Sequence, residues 1–265
     1  MRADLHIHST VSDGSDTIAQ IIDAAKQKGL DAIAITDHDT LSHLRQIPAD
    51  TGIKVVGGVE ISAIHLETKT KAHILGYNIQ KPDLLTALTQ TILIARNRNS
   101  EKQIEILLGQ GFKIDKDKLA KADGLCIYKQ HIMDWLVSTG QASELFGGFY
   151  KKTFKNGGPC DFDICYPDVF DTVKAVKNAG GLAVLAHPGQ QKNFYLIPEL
   201  VKIGLDGLEI NHHTHTEQDI LAIRGYANQY GLFLTGGSDY HGKYEDQSAG
   251  IGDYLSEESG VLAIC

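Results

Sequence analysis

Short apolar runs alternate with helical patterns in both the first and the last third of this chain, and this alternation constrains the fold more than any other feature. Strand-like runs occupy 2–8, 31–36, 54–61, 71–77, 182–186, 207–210 and 233–235. Helical periodicity occupies 17–28, 167–178, 194–203 and 217–230. Strands separated by helices are typical of parallel βα units. Because so many units follow one another, we expect an α/β barrel rather than an open sheet.

The first predicted helix carries its own start and stop signals. Thr17 and Gln20 stand three residues apart, which suits a capping box at the N-terminus of the helix. Gly29 suits the position after the helix, where a left-handed backbone conformation often ends it. The sequence therefore predicts a helix over 17–28.

The middle of the chain has a different pattern. A long helix is predicted over 83–108 and shorter helices over 130–138 and 142–146, with no strand pattern up to about residue 165. We interpret 81–165 as a small helical insertion subdomain over the mouth of the barrel. The barrel itself would consist of 1–80 and 166–265.

Charge and composition narrow the kind of partner. The net charge of −8 argues against duplex DNA held by a broad basic face, but it permits a small anionic substrate, because bound divalent cations reverse the local potential. No apolar run is long enough to cross a membrane. The first strand begins at Arg2 and leaves no room for a signal peptide, and the four cysteines form no CxxC pair. A cytoplasmic location with reduced thiols is expected.

Histidine is unusually frequent, with 12 in 265 residues. His6 and His8 stand two apart on the first predicted strand, so both side chains point to the same face. Neutral imidazole is a common metal ligand, and two on one strand face form half of a metal site. Taken alone, the pair would more often be two polar residues on a solvated strand face.

The pair does not stand alone, because most other predicted strands carry or are followed by ligand-type residues. These residues are Asp13, His38, Glu60, His73, His187, Asp239 and His241. In parallel α/β proteins the C-terminal ends of the strands converge on the active site, so we expect these side chains to meet. Nitrogen and oxygen donors without cysteine favour Mn, Fe or Zn over Mg or a thiolate zinc site.

Six segments carry a resemblance to a known family. In chain order they are HIHSTVSDGS, ITDHDT, GVEIS, HILGY, LAHPG and GGSDYHG. They resemble the PHP family (polymerase and histidinol phosphatase domains), most closely a branch of small bacterial enzymes. That branch hydrolyses nucleoside 3′,5′-bisphosphates and trims short oligoribonucleotides from the 5′ end. The resemblance implies a distorted (β/α)7 barrel that holds three divalent transition metal ions.

The resemblance also implies which residues bind each metal ion. One ion would be held by His6, His8, Glu60 and Asp239. A second would be held by Asp13, His38 and His241, and a third by Glu60, His73 and His187. Glu60 would bridge two ions, and the catalytic residues would be Glu60, Asp239 and His187. Asp37 and Asp39 are expected to orient His38 or its neighbours.

Cationic side chains on the insertion are candidates for binding substrate phosphate. Arg96 and Arg98 lie on the long predicted helix, and Lys129 and His131 lie on the next one. The resembling branch has a TRxH-like segment where this chain has Tyr128-Lys129-Gln130-His131. Lysine therefore replaces arginine and offers a point charge instead of a bidentate fork. The competing interpretation for all four side chains is a solvated helix face.

A second histidine cluster, His212-His213-Thr214-His215, follows the strand predicted over 207–210. The resemblance places this cluster near the substrate, so His212 is a candidate substrate contact. Two alternatives stay open, a spare metal-binding tract and a plain loop. Two other histidines, His43 and His65, are expected at the surface.

These observations together predict a phosphoric ester hydrolase. Its expected substrates are nucleotide-like phosphomonoesters, either a nucleoside 3′,5′-bisphosphate or short single-stranded RNA, hydrolysed by a metal-activated hydroxide. One alternative is a histidinol-phosphate-type phosphatase. Another is a non-catalytic, metal-stabilised interaction domain, as some PHP domains serve within polymerases.

Overall fold

A single seven-stranded sheet organises the molecule. In the computed structural model, which describes residues 1–122, 126–244 and 249–265, the strands lie in the order in which they occur in the chain. They are β1 Ala3–Ile7, β2 Ala32–Ile35, β3 Lys54–Ile64, β4 Lys71–Tyr77, β5 Leu182–Leu185, β6 Gly207–Asn211 and β7 Phe233–Gly236. A parallel bridge between Ile7 and Tyr240 brings the two edges together, so the sheet curls into a nearly closed barrel. The prediction of an α/β barrel is confirmed.

Helices cover the outside of this barrel and extend beyond it. They are α1 Ile18–Gln27, α2 Asp83–Gly109, α3 Lys129–Ser138, α4 Gly148–Phe154, α5 Val169–Asn178, α6 Pro188–Gln191, α7 Ile197–Lys202, α8 Glu217–Tyr230 and α9 Glu258–Ile264. Short 3-10 turns occur at Ser42–Arg45, Phe194–Leu196 and Gly242–Tyr244. In the described part of the chain no helix combines the length and apolar character that a membrane crossing requires.

The start and stop signals of the first helix act as expected. The Gln20 backbone N–H donates to the Thr17 hydroxyl, and the Thr17 backbone N–H donates to the Gln20 side chain. Gly29 follows the helix with φ +66°, a conformation that glycine adopts without strain. The predicted boundaries of α1 are confirmed within one residue.

The strand β4 departs from the predicted parallel arrangement. It runs antiparallel to both β3 and β5. Only six residues separate Ile64 from Lys71, and a connection this short makes a hairpin, because a parallel crossover needs a dozen residues or more. The reversal places the first residues of β4 beside the C-terminal end of β3, with His73 paired to Ser62. His73 thereby reaches the same barrel edge as the ends of the parallel strands.

Three local predictions are wrong. Residues 142–146 are not helical, and α4 begins at Gly148 instead. Ala142 and Leu145 pack against the neighbouring helices from an irregular loop, so tertiary packing overrides the local helical pattern. The helix predicted over 194–203 is divided into a 3-10 turn and α7, which has Pro198 in its first turn. The short helices α6 and α9 carry too few turns to show a periodic pattern and are missing from the prediction.

Apolar side chains form separate clusters around and inside the barrel. The largest cluster fills the space between the sheet and the helices α5, α7 and α8, and it includes Leu85 and Ile92 from the first half of α2. Another cluster joins the second half of α2 to α3 and α4 through residues such as Leu107, Met133 and Phe154. We propose that residues 81–165 form a helical insertion. The second cluster supports this proposal, although Leu85 in the first half of α2 packs with the helices of the barrel.

Candidate metal centre

Glu60 lies at the centre of the site, near the end of β3, and only 1% of its surface is exposed. Its carboxylate oxygens lie 2.8–3.3 Å from ring nitrogens of five histidines, which are His6, His8, His38, His73 and His187. Burial opposes ionisation of this carboxyl, but the neighbouring histidines, His73 foremost, outweigh it and hold the pKa of Glu60 well below its usual value. Glu60 is therefore a buried anion.

The two histidines of β1 point into the barrel as their spacing predicts. Both side chains are completely buried, so the alternative of a solvated strand face is wrong. Their Nε2 atoms lie 3.2–3.3 Å from Oδ1 of Asp239, which follows β7 with φ +52°. With Glu60 these residues form a group whose donor atoms all lie within 4.8 Å of one another, a spacing that suits one shared cation.

Two further groups of donors share members with the first. His8, Asp13, His38 and His241 form one of them, and His38, Glu60 and His73 form the other. His187 lies beside the latter, with its Nε2 atom 2.9 Å from Glu60 Oε1. All nine residues expected to bind metal therefore lie together. Their grouping differs from the expected one, since His8 and His38 each belong to two groups.

The chemistry of this donor set fits bound cations. Several buried polar atoms lack a hydrogen-bond partner among the residues that the structure describes, namely Nε2 of His6, both ring nitrogens of His8, Nδ1 of His38, Nδ1 of His187, Oδ1 of Asp13 and Oδ1 of Asp239. Each such atom costs about 1–3 kcal/mol when nothing satisfies it. Donor atoms of most of these residues lie within 4.8 Å of one another in the groups given above, and a metal ion among them would accept their lone pairs.

The protonation states of His38 and of two carboxylates favour metal binding as well. Burial lowers the pKa of His38 to about 4, so its ring is neutral at neutral pH and has a free lone pair. Burial opposes ionisation of Asp13, but the neighbouring histidines, His241 foremost, hold the pKa of this carboxyl well below its usual value. For Asp239 the opposing charge of His6 has the same effect on the pKa. The carboxylates are therefore anionic where divalent cations would bind.

The buried carboxylates of Asp37 and Asp39 hold loops, and that of Asp37 also faces a histidine ring. Asp37 accepts hydrogen bonds from Ser9 and Ser12, which precede Asp13. Its Oδ2 also lies 3.2 Å from Nδ1 of His43. The prediction that His43 is at the surface is wrong, because the 3-10 turn Ser42–Arg45 folds its ring inward until it is completely buried.

Arg96 reaches the barrel mouth, where its charge is already paired. Its Nη2 atom lies 2.7 Å from Asp39 Oδ2 and 3.0 Å from Ser62 Oγ, and its guanidinium stacks on the Tyr128 ring. Arg98 is exposed and lines a cavity of about 690 Å³ that contains none of the nine candidate ligands. A helix rotates by about 100° per residue, so positions two apart face different directions. The two arginines therefore face different directions from α2.

Lys129 is half-buried at the start of α3 among other charged groups. Burial lowers the pKa of its ammonium, Asp163 opposes that shift, and Lys155 and Lys71 add to it. A side chain crowded by cations in this way is stabilised by an added anion. These surroundings would suit an anion bound by Lys129.

His131 and Gln130 have roles that their sequence positions conceal. The Tyr128 backbone N–H donates to Nδ1 of His131, so this buried ring caps its own helix, and burial lowers its pKa to about 4. The neighbouring Gln130 donates from Nε2 to Oδ2 of Asp13 at 2.9 Å. Gln130 belongs to the site, and no feature of the sequence distinguishes it from a surface glutamine.

The second histidine cluster contributes one ring to the site. His212 is buried, with Nε2 at 3.3 Å from Asp239 Oδ2 and Nδ1 at 2.8 Å from the Thr214 hydroxyl. His215 has both ring nitrogens engaged, with the Ile210 carbonyl and with the Gly189 backbone N–H. His212 therefore supports a carboxylate of the centre, whereas His215 fixes the loop.

Comparisons with known proteins agree with this geometry. A family model described as the PHP domain matches residues 4–161. The phosphoribosyl 1,2-cyclic phosphate 1,2-diphosphodiesterase of Eggerthella lenta is 44% identical over 251 residues, which cover 92% of this chain and 95% of that protein. The 3′,5′-nucleoside bisphosphate phosphatase of Chromobacterium violaceum is 29% identical over 255 residues, which cover 90% of this chain and 86% of that protein.

A solved structure supports the same assignment. A protein of Bifidobacterium adolescentis, assigned as a metal-dependent phosphoesterase, matches with a TM-score of 0.87 and 26% identity. The match covers 99% of this chain and 94% of that one. With these relatives and this donor set, the protein is a metal-dependent hydrolase of phosphoric esters. The chain belongs to the PHP domain family.

Proposed function

We propose that this phosphoesterase acts on a small ribose compound that carries two phosphate groups, and that its preferred substrate is the 1,2-cyclic phosphate of phosphoribose. The observation that carries the proposal is the 44% identity to a cyclic phosphate diphosphodiesterase along nearly the whole chain. The buried centre around Glu60 supplies the chemistry for that reaction class.

We propose three divalent cations at the centre, drawn from Mn, Fe and Zn. The nine residues His6, His8, Asp13, His38, Glu60, His73, His187, Asp239 and His241 would hold them. The three overlapping donor groups support this number, and the nitrogen and oxygen donors support this choice of metals. Such cations lower the pKa of water towards neutrality and neutralise phosphoryl oxygens when they are bound.

The chain's own side chains would set the position of the reacting phosphate. Glu60 and Asp239 contribute buried negative charge that keeps the centre from becoming too cationic to release product. Gln130 donates a hydrogen bond to Oδ2 of Asp13 and so leaves Oδ1 directed at the centre. We propose that His212 acts through Asp239, which it contacts, rather than on substrate.

The second phosphate would lie at the edge of the barrel mouth. We propose that Lys129 binds it, because this ammonium is half-buried and the charges of Lys155 and Lys71 lower its pKa against the opposing effect of Asp163. Arg96 would assist from its fixed position above Tyr128. The tight pairing of Arg96 with Asp39 makes it the lesser contributor, and neither Arg98 nor His131 is proposed as a contact.

A nucleoside 3′,5′-bisphosphate is the second candidate substrate. Its support is the named activity of the Chromobacterium violaceum relative, at the lower identity of 29%. Short oligoribonucleotides are a further candidate, because the branch of PHP enzymes that this sequence resembles trims them from the 5′ end. Both named relatives are enzymes, and neither is named as a histidinol-phosphate phosphatase, which speaks against the two alternative functions.

Steady-state kinetics on one metal-loaded preparation would test the proposal. We expect kcat/KM for the phosphoribosyl 1,2-cyclic phosphate to exceed that for a nucleoside 3′,5′-bisphosphate by at least about tenfold, which corresponds to about 1.4 kcal/mol. Histidinol phosphate should be turned over slowly. The reverse order of the first two substrates would reassign the preferred substrate. Turnover of histidinol phosphate alone would refute the proposed substrate class.

A further inference from the structure

Glu209 is a buried carboxylate that no ligand pattern of the sequence includes. It lies on β6, between Leu208 and Ile210, whose side chains pack in the largest apolar cluster, outside the sheet and against α5, α7 and α8. Because side chains alternate along a strand, Glu209 points to the opposite side, into the barrel. Its exposure is zero, so the carboxylate has lost all its contact with water and depends on protein partners.

Each oxygen of Glu209 has one close partner in the centre. Oε1 lies 2.9 Å from Nδ1 of His6, and Oε2 accepts the backbone N–H of His187 at 2.8 Å. The two histidines belong to different parts of the proposed metal centre. The buried Glu209 side chain therefore contacts two separate residues of the proposed metal centre.

The first contact determines the tautomer of His6. An ionised carboxylate accepts hydrogen bonds and donates none, so Nδ1 of His6 must carry the proton. In the neutral ring that binds a cation, the lone pair is then on Nε2, which lies 3.3 Å from both Glu60 Oε2 and Asp239 Oδ1 and has no hydrogen-bond partner among the described residues. His6 is thereby prepared to bind a cation through Nε2.

The second contact holds an unusual backbone. His187 has φ +27° and ψ +57°, values that non-glycine residues rarely adopt and that strain the backbone. This conformation places its Nε2 atom 2.9 Å from Glu60 Oε1. The hydrogen bond to Glu209 anchors the backbone at the point where it is strained.

We propose that Glu209 is a positioning residue of the metal centre, which sets the tautomer of His6 with one oxygen and fixes His187 with the other. The inference rests on the proposed metal centre, and it adds a residue that binds no metal itself. Outer carboxylates on metal-ligating histidines commonly account for about 10–100-fold in metal affinity.

Glu209→Gln tests this role with almost no change in volume. The His187 backbone N–H is a fixed donor, so the glutamine oxygen must face it. The glutamine NH2 then donates to Nδ1 of His6 and forces the ring proton onto Nε2, the atom that should bind metal. We expect at least about tenfold weaker binding of one Zn²⁺ equivalent, measured by competition with a chromophoric chelator.

Asp206→Asn is the matched control, since Asp206 lies just before β6 and contacts Lys177 and the Ala183 backbone, neither of which belongs to the proposed centre. Its Zn²⁺ affinities should equal those of the wild type. Wild-type affinity in Glu209→Gln would overturn the inference alone. A wild-type protein that binds no metal would overturn the proposed function and this inference together.

A spectroscopic measurement on the wild type keeps the inference testable if the variant does not fold. Long-range ¹H–¹⁵N spectra of histidine-labelled, zinc-loaded protein report which nitrogen of each ring carries the proton. The His6 signals are identified by their loss in His6→Asn. We expect a protonated Nδ1 and a metal-bound Nε2. A His6 ring with the proton on Nε2 would refute the tautomer assignment.

Discussion

Replacement of Glu60 by glutamine is the most informative single substitution in the proposed centre. The carboxylate faces five imidazoles at 2.8–3.3 Å and is almost completely buried. Glutamine keeps the shape but removes one negative charge, and its NH2 group binds no cation. Loss of one preorganised electrostatic group commonly costs about 10²–10³-fold in kcat. We expect a loss of at least about 10²-fold, or about 2.7 kcal/mol.

The assay compares kcat and bound metal for Glu60→Gln with those of a control. Glu67→Gln makes the same chemical change in the exposed turn between β3 and β4 and should leave both quantities unchanged. His43 is unsuitable as a control because it is buried against Asp37. If Glu60→Gln and Glu67→Gln had equal effects on kcat, the site would lie elsewhere and the reasoning would be refuted.

Two further predictions concern the mouth of the barrel. Lys129→Ala should lower kcat/KM by about tenfold for a substrate with a second phosphate and much less for p-nitrophenyl phosphate. The control Lys152→Ala, at an exposed position on α4, should change kcat/KM for neither substrate. Equal losses on both substrates would place Lys129 at the reacting phosphate. The pKa of His131 is about 4 in the folded protein, below the usual 6.5, so the folded state binds fewer protons than the unfolded state between these values. On acidification from pH 7.5 to 5, the Tm of metal-free wild type should therefore fall relative to His131→Gln, which keeps a capping acceptor; a constant difference in Tm would contradict this.

Local signals predicted much of the fold. The alternation of strands and helices, and the capping residues Thr17 and Gln20, depend on neighbours a few residues apart, and the structure confirms them. The direction of β4 depends on which strand its edge pairs with, which no periodicity reveals. His73 was nonetheless placed correctly at the barrel edge, because the reversal of β4 moves its N-terminal end there.

The candidate ligands share a signal that the residues supporting them lack. His6 and His8 occupy alternate positions at the end of one strand, and residues such as Asp239 follow closely after a strand end. Glu209 has no such position, and its contact with His6 joins residues 203 apart in the chain. Gln130 meets Asp13 across 117 residues. Contacts of this range depend on barrel closure and on the placement of α3, so they emerge only from the three-dimensional structure.

Metal content, measured together with hydrolysis, tests the central claim most directly. Gently purified protein should contain more than one equivalent of Mn, Fe or Zn by elemental analysis, because the donor atoms form three overlapping groups. Exhaustive chelation should abolish hydrolysis of the phosphoribosyl cyclic phosphate, and adding one of these metals back should restore it. Full hydrolytic activity in protein verified to be free of metal would contradict the account.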